Sequence, residues 1–162
     1  MYNFKKEEQL RHTFLTQRGT WAISGTYIIS EDILKVTGRS IIEHYPDKWI
    51  IDCTMHFENK TNSRIIYEIV PFKNSDTSTT WTATSPLGKL FGTFTLNDIR
   101  IIEDYHTQDQ QYIGKEILTK IDDMEYSSDG SLYYKDEIKS SWTLNYTKQP
   151  IENNNIIIKI TD

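Results

Sequence analysis

The chain has 162 residues, 37% hydrophobic and 25% charged, with a formal net charge of −5 at pH 7. That is one domain with enough apolar surface for a real core, and it is too apolar for a disordered segment. The acidic balance, with no cluster of Lys and Arg, excludes a phosphate-binding surface for nucleic acid, and no apolar run is long enough for a membrane-spanning helix.

Aromatic residues make up 12% of the chain, including ten Tyr and four Trp, which favours β structure and flat apolar walls around a cavity. The start, Met1-Tyr2-Asn3-Phe4-Lys5-Lys6, lacks the apolar core of a signal peptide. The single Cys53 cannot form an internal disulfide. Both features point to a reducing cytoplasm, where the sequons at Asn59 and Asn145 are chance matches.

In chain order, residues 4 to 17 carry Phe4, Leu10, Phe14 and Leu15 among charges, a spacing that predicts a short helix stopped at Gly19 and lying across one end of the fold. Gly19-Thr20-Trp21 opens a first long strand, Thr20 to Ile29. A turn at Ser30-Glu31-Asp32, a short strand Ile33 to Val36 and a turn at Thr37-Gly38 follow. Arg39 to Tyr45 and Trp49 to Glu58 flank the turn Pro46-Asp47-Lys48, and Arg64 to Phe72 follows a turn at Asn59 to Ser63. Pairing Tyr45 with Trp49 sets Ile41 against Cys53 and turns Arg39 and Glu43 inward near the rim. Pairing Glu58 with Arg64 sets Cys53 against Ile69. Period-two alternation then gives one apolar face of Trp49, Ile51, Cys53, Met55, Phe57, Ile65, Tyr67 and Ile69.

Thr79 to Ser85, Leu90 to Leu96, Ile99 to His106 and Gln111 to Ile121 continue the meander through turns at Pro86 to Lys89, Asn97-Asp98 and Thr107 to Gln110. Their shared face includes Trp81, Ala83, Gly92, Phe94, Ile99, Ile101, Glu103, Tyr105, Tyr112, Gly114, Glu116 and Leu118. Asp122-Asp123 breaks the strand, Ser128-Asp129-Gly130 reads as a turn, and Ile138 to Lys148 closes the meander with Trp142, Leu144 and Tyr146 on one side. The resulting fold class is all-β: a single antiparallel up-and-down barrel of about 8–10 strands, spanning residues 1–148. Residues 149–162 form a tail whose Ile156 to Ile160 run suits an added edge strand or a homodimer contact.

The short helix followed by Gly19-Thr20-Trp21 resembles the Gly-x-Trp signature of lipocalins and their calycin relatives. The resemblance implies a barrel that binds small molecules in its mouth. It also implies that Trp21 packs at the closed end beneath a basic side chain, here Lys139 or Lys148. The Thr-Asp-Tyr motif of that family is not in the chain.

Of the groups able to carry chemistry, Cys53 and His56 are three apart in a strand and point to opposite faces, so they cannot share a metal. His44 and His56 share the solvated face, far apart, and His12 and His106 lie near the ends of elements. Glu103 and Glu116 fall diagonally on the apolar face, with Gly92 and Gly114 leaving space beside Glu103. If buried together, each raises the other's pKa, which suits acid/base work or recognition of a cationic or hydroxylated ligand. A one-residue bulge would instead turn both to water.

The expected function is binding of a small hydrophobic or aromatic molecule. Its walls would be Trp49, Met55, Phe57, Tyr67, Trp81, Phe94, Tyr105, Tyr112 and Trp142, with Glu116 for orientation. The alternative is an isomerase, cyclase or lyase using Glu103, Glu116 and Tyr105. No cofactor, nucleic-acid or membrane partner is expected, and a filled core is the competing use of the same aromatics.

Overall fold

The computed structural model describes residues 9–150. Ten antiparallel strands run in simple meander order: β1 (Gly19–Ile29), β2 (Asp32–His44), β3 (Trp49–Phe57), β4 (Asn62–Ile69), β5 (Ser78–Ser85), β6 (Gly88–Leu96), β7 (Arg100–Thr107), β8 (Tyr112–Asp122), β9 (Glu125–Tyr134) and β10 (Glu137–Lys148). β1 pairs with β10 as well as β2, so the sheet closes into a barrel without a free edge. Period-two alternation puts one residue set inside on every strand. Trp21, Ile23, Val36, Ile42, Ile51, Trp81, Phe94, Ile101, Leu118, Tyr126 and Leu144 form the core.

The lead-in departs from the predicted helix. Only Gln9–Arg11 is helical among the described residues, and residues 12–18 are irregular. The segment still acts as a plug. His12, Phe14 and Leu15 are buried at the end of the barrel where β1 begins and β10 finishes. Phe14 meets Trp21 and Tyr146 edge-on, both at 5.3 Å between ring centroids, and Tyr126 meets Trp21 edge-on at 5.5 Å. Polar groups of the plug are satisfied through Tyr126: its hydroxyl lies 2.8 Å from His12 Nδ1 and accepts the Thr13 N–H at 3.1 Å. His12 Nε2 lies 2.7 Å from the Asn97 carbonyl, which can only accept, so Nε2 carries a proton. In the neutral ring Nδ1 then takes the Tyr126 O–H. Lys148 pairs with Trp21 in the ladder and donates to Gln17 Oε1 at 3.1 Å, whereas Lys139 lies by the Tyr134 ring. Of the two basic residues considered for the closed end, Lys148 is the one there.

Several local expectations are corrected. Thr37-Gly38 is no turn, because β2 runs unbroken through it. Gly38 sits opposite Met55, where an added Cβ would fall 2.4 Å from the Thr54 carbonyl. The β2–β3 turn closes as Tyr45 to Lys48, making His44 the partner of Trp49 and Ser40 that of Cys53. This shift by one reverses the face of β2: Ser40, Ile42 and His44 turn in, while Arg39, Glu43 and Tyr45 are exposed. In β3–β4 Cys53 pairs with Ile65, and Ile51 with Tyr67; this slip is even, so the inward set is unchanged. Ser128-Asp129-Gly130 lies within β9, Ile99 is exposed just ahead of β7, and the β8–β9 turn falls at Asp123-Met124 with a bulge beside Lys120. Phe4 and the Ile156 to Ile160 run lie outside the described residues. No described helix is long and apolar enough to cross a membrane.

Replacing Tyr126 by Phe should remove the plug's shared hydroxyl while leaving the ring contacts. It is expected to cost about 1–3 kcal/mol, as for any buried donor and acceptor left unpaired. Urea denaturation should show a lower midpoint with an unchanged slope.

Candidate functional site

β7 and β8 set Glu103 directly opposite Glu116. Each alternates with inward neighbours, Ile101 and Tyr105 on β7, Gly114 and Leu118 on β8, so both carboxyl groups face the interior. They are 3% and 9% exposed. Glu116 Oε2 accepts two hydrogen bonds, from Ser128 Oγ at 2.5 Å and from Trp142 Nε1 at 2.8 Å. Glu103 hydrogen-bonds Glu116 and is also approached by the Tyr67 hydroxyl.

Burial raises the pKa of both carboxyl groups, and for Glu103 the adjoining Glu116 charge and hydrogen bond raise it further. On Glu116 the hydrogen bonds from Ser128, Trp142 and Glu103 all favour the ionised form and oppose the burial effect. Both groups are pushed up, Glu103 the further of the two, so Glu103 keeps its proton to higher pH than Glu116.

A backbone feature builds this contact. Glu116 on β8 and Trp142 on β10 both pair with Gly130 on β9, which lies between them. The indole crosses the bare backbone at Gly130: an added Cβ would stand 2.2 Å from the ring and 2.4 Å from Nε1. The same arrangement puts Trp81 over Gly92 and Tyr105 over Gly114. The space expected beside Glu103 is thus filled by these rings.

Next to the pair lies a cavity of about 220 Å³. Tyr27, Tyr67, Tyr105, Tyr146 and Trp142 wall it, with Met55, Ile65, Leu132 and Leu144 between them. It runs out past Phe57, Ser63, Ser85 and Ser140 to the exposed Pro86-Leu87 turn, at the end opposite the plug. Tyr27 stacks on Trp142 at 5.2 Å and 19°. Burial is the main cause of raised pKa values at Tyr27, Tyr67, Tyr105 and Tyr146, and it pushes the Cys53 thiol up to about 12, so all five stay neutral near pH 7. Among the described residues no Lys, Arg or His lines this cavity. A larger concavity of about 760 Å³ spans the outer face of β4 to β8, past Glu68, Thr82, Phe91, Asp104 and His106. It is open to solvent and its charged residues are surface groups. Among the described residues both buried carboxyl groups, Glu103 and Glu116, line the interior cavity, so the interior is the candidate site.

The sequence-derived residues divide as follows. Met55, Phe57, Tyr67, Tyr105, Glu103, Glu116 and Trp142 line the cavity. Trp81 stacks flat on Tyr67 at 4.8 Å and Phe94 packs beside it, both in the wall behind the lining. Trp49 is at the plugged end, stacked on His44 at 3.8 Å, and Tyr112 is against Tyr134, at 4.7 Å. Neither reaches the cavity. Cys53 faces in and His56 faces out, bonded to Asn62 Oδ1 at 2.8 Å. Tyr27 and Ser128 are not among the sequence-derived site residues, and Tyr146 is placed by sequence on the face of Trp142 without being assigned to the site. Tyr27 shares a period-two face with Trp21, the signal that would find it; Ser128 is hidden by its turn-like neighbours.

The fold is a closed antiparallel barrel of ten strands in meander order. No protein-family model matches the chain, and no curated protein sequence does. Among solved structures it is similar to the crystal structure of Rv2717c from M. tuberculosis, with a TM-score of 0.61 over 82% of this chain and 92% of that one. The two are 10% identical, so the likeness is one of fold.

Gly130→Ala should force the indole off Glu116 and cost about 2–4 kcal/mol through overpacking and a lost hydrogen bond, with a shifted Trp emission maximum. The carboxylate pair also predicts a pH dependence. The native state keeps a proton that an unfolded Glu loses near its ordinary pKa of 4.5. The unfolded state then binds fewer protons, so the stability from this group is full below about pH 4.5 and falls as pH rises towards the native pKa. Glu103→Gln should be the less pH-sensitive protein across that window, as read by urea midpoints at a series of pH values.

Proposed function

We propose that the barrel binds one small, largely apolar or aromatic molecule in its interior. The observation that carries this is the cavity itself: about 220 Å³ of space, walled by aromatic rings and open at one end, beside a buried polar pair. A filled core would put apolar atoms there. An apolar cavity of roughly 150 Å³ admits benzene, so this one suits a single ring with a short substituent. Aromatic walls supply affinity and Glu116 with the tyrosines supplies orientation. The lipocalin resemblance at Gly19-Thr20-Trp21 points the same way.

One observation favours a second reading, an isomerase, cyclase or lyase working by proton transfer. Glu103 and Glu116 share a proton at the cavity wall, beside Tyr105, which is the arrangement an acid/base couple requires. Under that reading Glu116→Gln binds substrate and does not turn it over. Under the first it binds with altered affinity only.

Native mass spectrometry of gently purified protein should reveal a bound mass corresponding to a compact organic molecule. Ser63→Trp, at the open end, should abolish that adduct and block uptake of toluene or phenol in calorimetry, with little change in melting temperature. Unchanged uptake in this variant would place binding elsewhere.

A further inference from the structure

We infer that the molecule held in this cavity is a compact aromatic monocation, a single ring carrying an ammonium group that sits against Glu116 and Glu103. This rests on the interior-binding reading above and adds the charge of the ligand.

Three observations converge on it. First, two carboxyl groups face each other across the β7–β8 ladder, and among the described residues no cationic side chain lines the cavity with them. A pair that shares one proton carries one negative charge. Buried charge is costly unless it is matched, and the protein supplies only the neutral donors of Ser128 and Trp142. Second, Tyr146 is 5% exposed, lines the cavity, and its hydroxyl has no hydrogen-bond partner among the described residues. Tyr27 is half-buried, lines the same cavity, and its hydroxyl also has no hydrogen-bond partner among the described residues. A hydroxyl that borders the open space of the cavity without a protein partner is available to a ligand there. An ammonium has three N–H donors; a carboxylate of the pair and two tyrosine oxygens would accept them. Third, the cavity beside the pair is walled by the rings of Tyr27, Tyr67, Tyr105 and Tyr146, and aromatic rings attract cations. A neutral alcohol would satisfy the hydroxyls and leave the charge unmatched. An organic anion would meet repulsion.

The proton balance follows. At a pH where both carboxyl groups are protonated in the empty protein, entry of an ammonium ion releases one proton to solvent: one carboxyl ionises against the cation and the other keeps its hydrogen. The groups facing the pair from other strands are Tyr27, Tyr67, Tyr146 and Cys53, with Tyr105 on β7 itself, all held neutral by burial. Asp104 and Lys115 lie outside, 3.9 Å apart on the surface. The four histidines lie outside the cavity lining, so a pH dependence that the amine shows and the alcohol does not is assigned to the pair.

The test is isothermal titration calorimetry of the full chain with three probes of similar shape: 2-phenylethylamine, 2-phenylethanol and 3-phenylpropionate. At pH 7.5 the amine should bind at least tenfold tighter than the alcohol, and the carboxylate should not bind. Glu116→Gln should bring amine and alcohol to equal affinity. If the alcohol or the carboxylate binds wild-type protein as well as the amine, the cation is overturned and interior binding stands. If none of the three binds, interior binding falls and this inference with it. Should Glu116→Gln fail to fold, wild-type protein decides: amine affinity rising several-fold from pH 5 to 8 while alcohol affinity stays flat supports the inference, and equal pH profiles overturn it.

Discussion

Closure of the sheet is the constraint from which the other features follow. The ladder between β1 and β10 runs from Trp21 opposite Lys148 to Ile29 opposite Ser140. Once it forms, every strand has two neighbours and each residue is committed to the inside or the outside. A ring of ten strands is wider than its own side chains fill along the whole length. One end is stopped by a separate segment, residues 12–16, set on Trp21 and Tyr126. The other end keeps the remaining volume as a cavity.

Within that frame, the position of the polar centre depends on where side chains are missing. Trp81, Tyr105 and Trp142 each lie across a glycine on the adjoining strand. This flattens the rings against the wall and draws the Trp142 indole to Glu116. The carboxylates are thus held by a ring that crosses a strand, by a serine on the strand between, and by each other. Glycine here answers a demand for room, which is why Gly130 stands in mid-strand, where glycine normally weakens a sheet.

Much of the architecture was legible in the sequence because strand parity tolerates error in steps of two. The β3–β4 pairing was misplaced, yet Ile51, Cys53, Met55 and Tyr67 stayed on the inner face. Glu103 and Glu116 were expected diagonally and are directly opposed, again an even slip. A single-residue error in the β2–β3 turn did the opposite damage and exchanged Arg39 and Glu43 for Ser40 and Ile42. What the sequence concealed was tertiary in origin. Ser128-Asp129-Gly130 has turn composition, but it serves Glu116 and Trp142 from neighbouring strands. The lead-in has helical spacing, but Tyr126 and Asn97 satisfy its polar groups in an irregular path. Trp49 and Tyr112 share the inner parity and still miss the cavity, since parity fixes the face and not the depth.

The plug also bears on the order in which the chain assembles. His12 docks on Tyr126, 114 residues further along the chain, and β1 cannot complete its second ladder until β10 has been made. During synthesis the meander from β2 to β9 can form hairpin by hairpin through local pairing, while β1 keeps one edge open and the segment before it has nowhere to sit. Long-range closure of this sort carries a large loop-closure entropy and is slow compared with hairpin formation. The last event in folding is therefore the one that seals the barrel: β10 zips onto β1, and the first turn of the chain drops onto an end that did not exist before. Until then the inner face, with its carboxylates and aromatic walls, is open to water.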